Sequence, residues 1–486
     1  MSIKKSTAAV TVGVVLLLSG VALAQPPNPY TFSPAVQITE VPPEDGTSTF
    51  FFSSGQHFTA FRGDTVYVIW AESRSFTPPT GNHVFFAKST DKGKTFGANV
   101  RVNSTAAGFN PSMRVDTGGI IYVAYERQGN IFFTKSTDGG NTFIPALQVV
   151  DSVGLPYTQE LPSMAVNNKG QVFIAWVDKR TNPQTIFTVA SYDSGKTFGS
   201  NRRASDSGFY AYSFDIAADD SGRIYVVWSE AVTQLNLPLR LARSDDSGET
   251  FSLRTTVSDL PLDSGQVFAL EPSIALGEKG SIAAAWEDKR FSQYTIHFSN
   301  SQDYGQTFSP SARVDDDPDP ACCPQTGGPS LVWRNGTFFL AFGGVFFAPG
   351  DSAISSGVTF KYRPADSDSF VAPVNASAAH GVVALSVALN ERGESFVAWT
   401  DNRHDPFFSE RYHIFGASGQ IRKGDLNLDG LLTVADVVLE LNAVFLEQLP
   451  PAPVEIADGN CDLKLTAADV VLLLRATFLE EPFPCS

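Results

Sequence analysis

The stretch STDKGKTF, Ser89 to Phe96, returns as STDGGNTF at 136–143, SYDSGKTF at 191–198, SDDSGETF at 244–251 and SQDYGQTF at 301–308. In the shared form S-x-D-x-G-x-T-F, the Asp side chain can accept hydrogen bonds from backbone N–H groups of its own turn. The Gly supplies a positive φ, and the Phe packs into the sheet below. The pattern predicts a hairpin turn used five times over. Five equivalent copies serve architecture better than they serve one reaction, so the octapeptide is read as structural.

Each copy sits in a longer unit. Before it come a short apolar segment, a polar turn and a second run ending in an aromatic, as in PSMRVDTGGIIYVAYE from Pro111 and EPSIALGEKGSIAAAWED from Glu271. The closing aromatic recurs as Trp70, Tyr125, Trp176, Trp228, Trp286, Phe342 and Trp399, at spacings of 51 to 58 residues. About four short strands per unit at that period predict an all-β chain folded as a seven-bladed β-propeller, with six blades as the alternative. FSPAVQITEV from Phe32 looks like the strand that follows an octapeptide elsewhere but has none before it, and the seventh unit ends near Gln420 without its own last strand. The N-terminal strand is therefore expected to complete the last blade, closing the ring so that no edge is left open.

Composition narrows the partners. Of 486 residues, 51 are acidic and 35 basic, and the net charge of -16 repels phosphate backbones and anionic lipid. Nucleic-acid binding is not expected. The first residues carry Lys4 and Lys5, an apolar run from Val10 to Leu23 and the small-residue end Ala22-Leu23-Ala24, which reads as a signal peptide over 1–24. No second long apolar run follows, so no membrane span is expected, and the chain is read as secreted, extracellular or periplasmic. In an oxidising compartment, Cys461 and Cys485 can close a loop near the C-terminus. Nothing in the sequence decides the state of the vicinal pair Cys322-Cys323.

The octapeptide resembles the Asp-box, or BNR, repeat of the sialidase superfamily, and residues 25–420 are identified with a sialidase-like propeller on that basis. The resemblance implies boxes on the face opposite the active site, so the functional face carries the blade connections and the loops after each aromatic. Trp70-Ala71-Glu72-Ser73-Arg74 resembles the segment that reads roughly FAEGR in sialidases, which makes Arg74 a candidate substrate contact. The rest of that catalytic set has no match: the preceding strand, GQHFTAFRG, lacks Arg-Ile-Pro, no carboxylate follows in SFTPPTGNHVFF, and no late tyrosine aligns.

The loops after the aromatics repeat an acid and an arginine two apart: Asp178 with Arg180, Asp288 with Arg290, and Asp401 with Arg403. Such pairs either grip a polar or anionic ligand or tie each blade to the next. Glu160 and Glu271, near the start of inner strands, are candidate catalytic carboxylates beside Arg74, and Tyr212 is a candidate sugar-stacking surface. The six histidines show no zinc-site spacing.

The last residues, 421–486, form a separate unit. Asp425, Asn427, Asp429, Thr433 and Asp436 place side-chain oxygens at positions 1, 3, 5, 9 and 12 of a twelve-residue loop, with Gly430 at 6 and the Leu431 carbonyl at 7. The pattern recurs as Asp458, Asn460, Asp462, Thr466 and Asp469, with the Lys464 carbonyl at position 7 and Leu463 where Gly is expected. These oxygen sets select a hard cation, and Ca²⁺ is the expected cofactor. Each loop precedes a helical pattern, VVLELNAVFL and VVLLLRATFL, and neither follows one. This loop–helix pair resembles a type I dockerin, which implies a cohesin-type partner on a scaffold or cell surface. The sequence thus leaves two classes open, a secreted glycoside hydrolase acting on extracellular polysaccharide or a non-catalytic propeller that binds glycans or proteins.

Overall fold

The computed structural model describes residues 28–40, 48–50, 57–73, 82–103, 107–151, 158–206, 208–233, 235–259, 267–290, 294–315, 328–347, 354–365, 367–378, 382, 384–401, 413–421, 423–427, 431–446, 453–462 and 464–484. Among the described residues seven sheets follow one another along the chain, each a blade of antiparallel strands built outward from its inner strand, with Asn236–Leu237 added in parallel to the inner strand of blade 5. Blade 2 shows the plan: Phe109–Val115 lines the centre, Ile121–Arg127 and Asn130–Ser136 follow, and Leu147–Gln148 forms the rim. The other inner strands are Thr59–Arg62, Gln159–Val166, Tyr210–Ala218, Val267–Leu276, Ser330–Arg334 and Leu385–Leu389. The seven-blade reading therefore holds and the six-blade alternative does not.

Closure is as the sequence predicts. Tyr30–Phe32 and Val36–Gln37 pair antiparallel with His413–Ile421, so the N-terminal strand is the outer strand of blade 7. The Tyr30 ring packs against Phe360 of blade 6 with centroids 4.9 Å apart, and its hydroxyl donates to Gly393 O at 2.6 Å.

The octapeptides are the turns between third and fourth strands. In blade 2, Ser136 Oγ donates to Asp138 Oδ1 (2.7 Å), Gly140 N–H donates to Ser136 Oγ (2.8 Å), and Thr142 donates from N–H and hydroxyl to the two Asp138 oxygens (2.9 and 2.6 Å). The same set recurs around Asp91, Asp193, Asp246 and Asp303. Gly140 has φ 84°, and a Cβ there would overlap the Phe86 ring of blade 1, so the box also latches its blade to the preceding one. Because Ser136 pairs with Ile121 while Asn130 pairs with Arg127, the boxes lie at the end opposite the loops that follow the aromatics.

Two helices, Val434–Phe445 and Ala467–Leu479, complete the fold, each opened by a capping box, Thr433 with Asp436 and Thr466 with Asp469. A short turn between them, Val454–Ile456, rests on the box face of the propeller: Glu455 Oε1 accepts from Asn335 Nδ2 of blade 6 at 2.6 Å, and its side chain covers Gly393 of blade 7. No helix among the described residues is long and apolar enough to cross a membrane.

Candidate functional site

After four of the blade tryptophans, the acid two residues on is an internal acceptor; Glu230, two residues after Trp228, instead pairs with Arg240 Nε at 3.0 Å. Asp178, Asp288 and Asp401 are fully buried, and take the indole N–H of Trp176, Trp286 and Trp399 at 2.8, 2.9 and 3.2 Å. Glu72 does the same for Trp70 at 2.8 Å. Arg180 Nε donates to Asp178 Oδ2 (2.9 Å) and its Nη1 to Asp151 (2.6 Å), while Arg290 holds Asp288 and reaches Asp259. These groups brace the blade and its rim. Arg74 and Arg403 lie outside the described residues.

The candidate carboxylates fall at two junctions on the mouth that the loops surround. Between blades 2 and 3, Glu160 pairs with Lys179 Nζ at 2.5 Å, beside Glu126, whose oxygen accepts from Asn110 Nδ2 at 2.8 Å. Burial raises the Glu126 carboxyl above its ordinary range, and the nearby Glu160 charge adds to that. Between blades 4 and 5, Glu271 meets Glu287. Leu270 pairs with Glu287 across the hairpin, which sets the two glutamates side by side, and the Glu271 N–H donates to Ser213 Oγ of blade 4 at 2.9 Å. Burial raises the Glu271 carboxyl; it pushes Glu287 up to about 8, with Glu271 adding to the shift.

Ser213 follows Tyr212 in the inner strand of blade 4, so the sequence candidates Glu271 and Tyr212 come from neighbouring blades at the same mouth, while the Tyr210 hydroxyl turns toward blade 3 and donates to Asn182 Oδ1 at 3.0 Å. Tyr212 and Tyr210 are 42% and 45% exposed, with ring centroids 6.4 Å apart and planes inclined by 31°. An exposed aromatic pair on blade 4 and two carboxyl groups of blade 5 that resist ionisation thus share one mouth of the propeller. Glu287 escaped the sequence reading because it sits inside the repeated Trp-acid-Arg pattern, one residue before the bracing Asp288.

The central channel holds a second set of residues. Seven inner strands line it in the same register, and each junction between blades carries a hydrogen bond at one level. Ser112, Ser273 and Ser330 accept from the backbone N–H of Met164, Leu331 and Val387 at 3.2, 3.0 and 3.1 Å. Ser386 Oγ meets Thr59 Oγ1 at 2.8 Å, and His57 O accepts from Met113 N–H at 2.9 Å. Blade 4 departs from serine: Asp215 accepts from Ser163 Oγ and from Ile274 N–H, both at 3.0 Å. Across the channel, His57 Nε2 of blade 1 lies 2.7 Å from Asp215 Oδ1. Two residues beyond this level the wall is Ala60, Ala165, Ala217, Ala275, Val332 and Ala388 in six blades, and Arg114 in blade 2. Burial lowers the Arg114 guanidinium to about 10 against the opposing pull of Asp215, and burial together with Arg114 lowers His57 although Asp215 opposes it.

The C-terminal loops place their donors as follows. Asp425, Asp436, Asp458 and Asp469 are buried. Asp436 accepts from Leu426 N–H (2.8 Å), and Asp469 from Asn460 N–H (3.3 Å), so each position-12 carboxylate gathers the start of its own loop. Asp462 N–H is shared by Asp458 Oδ1 (3.1 Å) and Asn460 Oδ1 (3.0 Å), which turns both oxygens toward the loop interior. This donor chemistry fits a hard cation. Among the described residues no three acidic, His or Cys side chains stand grouped as a ready cation cage, and Asp429 lies outside them. Thr433 and Thr466 cap the helices through their hydroxyls, Leu431 is 62% exposed, and Lys464 N–H donates to Asp462 Oδ1 at 2.8 Å. Cys461 is disulfide-bonded; Cys485, Cys322 and Cys323 lie outside the described residues.

No protein-family model and no curated protein matches the chain. Among solved structures, it is similar to a protein of unknown function from Dyadobacter fermentans, with a TM-score of 0.50 at 14% identity over 81% of this chain and 100% of that one. It is also similar to the α-L-arabinanase of Penicillium chrysogenum complexed with arabinobiose (TM-score 0.46, 14% identity, 65% and 93% covered). A third is a NanB sialidase variant from Streptococcus pneumoniae (TM-score 0.40, 14% identity, 80% and 70% covered). At these identities the likeness is one of fold.

Proposed function

We propose that this is a secreted, carbohydrate-associated propeller whose glycan-contacting surface is the mouth between blades 4 and 5. The observation that carries the reading is that the exposed pair Tyr210 and Tyr212 of blade 4 and the raised carboxyls Glu271 and Glu287 of blade 5 lie at the same mouth, linked by the Glu271 N–H to Ser213 Oγ. Flat aromatic faces stack on the apolar faces of sugar rings, and a carboxyl held protonated near neutral pH donates a hydrogen bond or a proton to a glycosidic oxygen. Two neighbouring carboxyls that cannot both ionise easily supply an acid and a base together, the combination that glycoside hydrolysis uses. We therefore favour a glycoside hydrolase acting on extracellular polysaccharide. Release of reducing ends from a panel of polysaccharides tests this: turnover abolished by Glu287→Gln and by Glu271→Gln supports hydrolysis. Glycan binding without turnover in the parent chain establishes the alternative, a non-catalytic propeller that binds glycans. Because only Arg74 matches the sialidase set, release of sialic acid is expected to be negligible.

The C-terminal unit is proposed to bind Ca²⁺ through Asp425, Asn427, Asp429, Leu431, Thr433 and Asp436, and through Asp458, Asn460, Asp462, Lys464, Thr466 and Asp469. The ion when bound would neutralise each loop's carboxylates and fix its wind. A cohesin-type protein on a scaffold or cell surface is the proposed partner, supported by apolar side chains exposed on both helices, among them Val434, Val438, Phe445, Val471 and Phe478. Titration calorimetry on the full chain, with Asp458→Ala as the control, tests the metal; no heat in the parent chain would refute it.

A further inference from the structure

We propose that the central channel is a binding site for a small carboxylate anion, held by the Arg114 guanidinium at the level where the other six blades present Ala or Val. The repeat itself supplies the comparison. At six of seven equivalent positions a methyl or isopropyl group suffices to line the channel, so nothing in the blade architecture calls for an arginine there. The Arg114 side chain donates from Nη1 to the carbonyl of its own neighbour, Met113, at 2.9 Å, and forms no ion pair among the described residues. A guanidinium carries five N–H donors in a planar fork, so most of its donor capacity faces the channel. The fork matches a carboxylate, two parallel hydrogen bonds to two oxygens.

Two further departures from the repeat meet Arg114. His57 stands where blades 2, 3, 5 and 6 have proline before the serine, and Asp215 stands where five blades have serine. Their 2.7 Å contact fixes the imidazole, with Asp215 further held by Ser163 and Ile274. Asp215 offsets the Arg114 charge through space, while its oxygens are occupied by those three donors and leave the fork unclaimed. The channel measures about 410 Å³, room for a molecule of monosaccharide size; besides Arg114 its lining includes a second guanidinium, Arg334, and the methyls of Ala60, Ala165, Ala275 and Ala388, which suit the C–H face of a ring. A ring acid fits both features: the carboxylate on Arg114 and the ring against the wall. This site is separate from the glutamate pair at the mouth and does not depend on that reading.

Titration calorimetry and thermal shift of the full chain, with glucuronate, glucose and inorganic phosphate as probes, test the proposal. Glucuronate is expected to bind and raise the Tm, while glucose and phosphate do neither. Arg114→Ala installs the residue that five other blades use and is expected to fold; it should weaken glucuronate binding by about tenfold or more. Arg114→Lys keeps the charge, loses the fork, and should also bind more weakly. Tyr212→Ala should leave glucuronate binding unchanged, which separates the channel from the mouth. Equal response to glucuronate and glucose, binding of phosphate alone, or binding lost in Tyr212→Ala but kept in Arg114→Ala would each overturn the assignment.

Discussion

Asp215 and His57 belong to blades three apart in the ring, and their side chains meet at 2.7 Å across its centre. A buried carboxylate with four donors, counting its own Ile216 N–H at 2.7 Å, tolerates no simple deletion. Asp215→Ala is expected to cost about 3–5 kcal/mol, because Ser163, Ile274 and His57 lose their acceptor and Arg114 loses its counter-charge. Asp215→Ser keeps an acceptor for one of them, as in five other blades, and should cost less than half as much. Urea unfolding of both variants checks the order; equal losses would show that the aspartate does no more than fill space.

The tryptophan–acid brace sets a second expectation. Asp178 is fully buried and accepts from Trp176 Nε1 and Arg180. Asp178→Ala strands both donors, and a loss of about 3–5 kcal/mol is expected. A loss under about 1 kcal/mol in denaturant unfolding would mean that the brace is not structural.

The pH dependence of stability separates Glu287 from its neighbours. Its carboxyl is raised from 4.5 to about 8 by burial and by Glu271. A raised pKa means that the folded state binds the proton more tightly, so this contribution to stability is complete below pH 4.5 and disappears as pH rises through about 8. Glu287→Gln removes the titration. Between those limits its stability should fall less with pH than that of the parent chain, and near pH 8 it should melt higher. Parallel melting curves across the range would contradict the buried, protonated carboxyl.

Much of the architecture was legible because it rests on local chemistry repeated at a fixed period. The Ser-x-Asp-x-Gly-x-Thr-Phe turn satisfies its own hydrogen bonds, so its sequence survives from blade to blade, and FSPAVQITEV announced its place by resembling a strand that normally follows such a turn. The acid–arginine pattern was legible as a pattern and ambiguous in purpose, since the same two residues suit a ligand or a brace; only the indole N–H on each acid shows what the acids bind. The channel cluster was invisible for a different reason. His57, Arg114 and Asp215 lie far apart in the chain, and none forms a motif. They stand out only when the seven inner strands are superposed and each is set against the residues that the other blades place at its position.

Ring closure has its own test. A chain beginning at Gly46 lacks both Tyr30–Phe32 and Val36–Gln37, leaving the edge of His413–Ile421 unpaired. Aggregation in size-exclusion chromatography and an earlier melt are expected. A monomeric product with the parent Tm would show that the N-terminal strand is dispensable.

The central claim is that glycans are met at the mouth between blades 4 and 5, to which blade 4 brings Tyr212 and blade 5 brings Glu271 and Glu287. The most direct measurement is a glycan array probed with the parent chain and with Tyr212→Ala, an exposed residue whose loss should leave the fold intact. The account predicts at least one polysaccharide ligand in the parent chain, with affinity reduced about tenfold or more in the variant by loss of the stacking face. Ligands bound equally by both proteins, or no ligand for the parent chain on an array of neutral and acidic glycans, would contradict it.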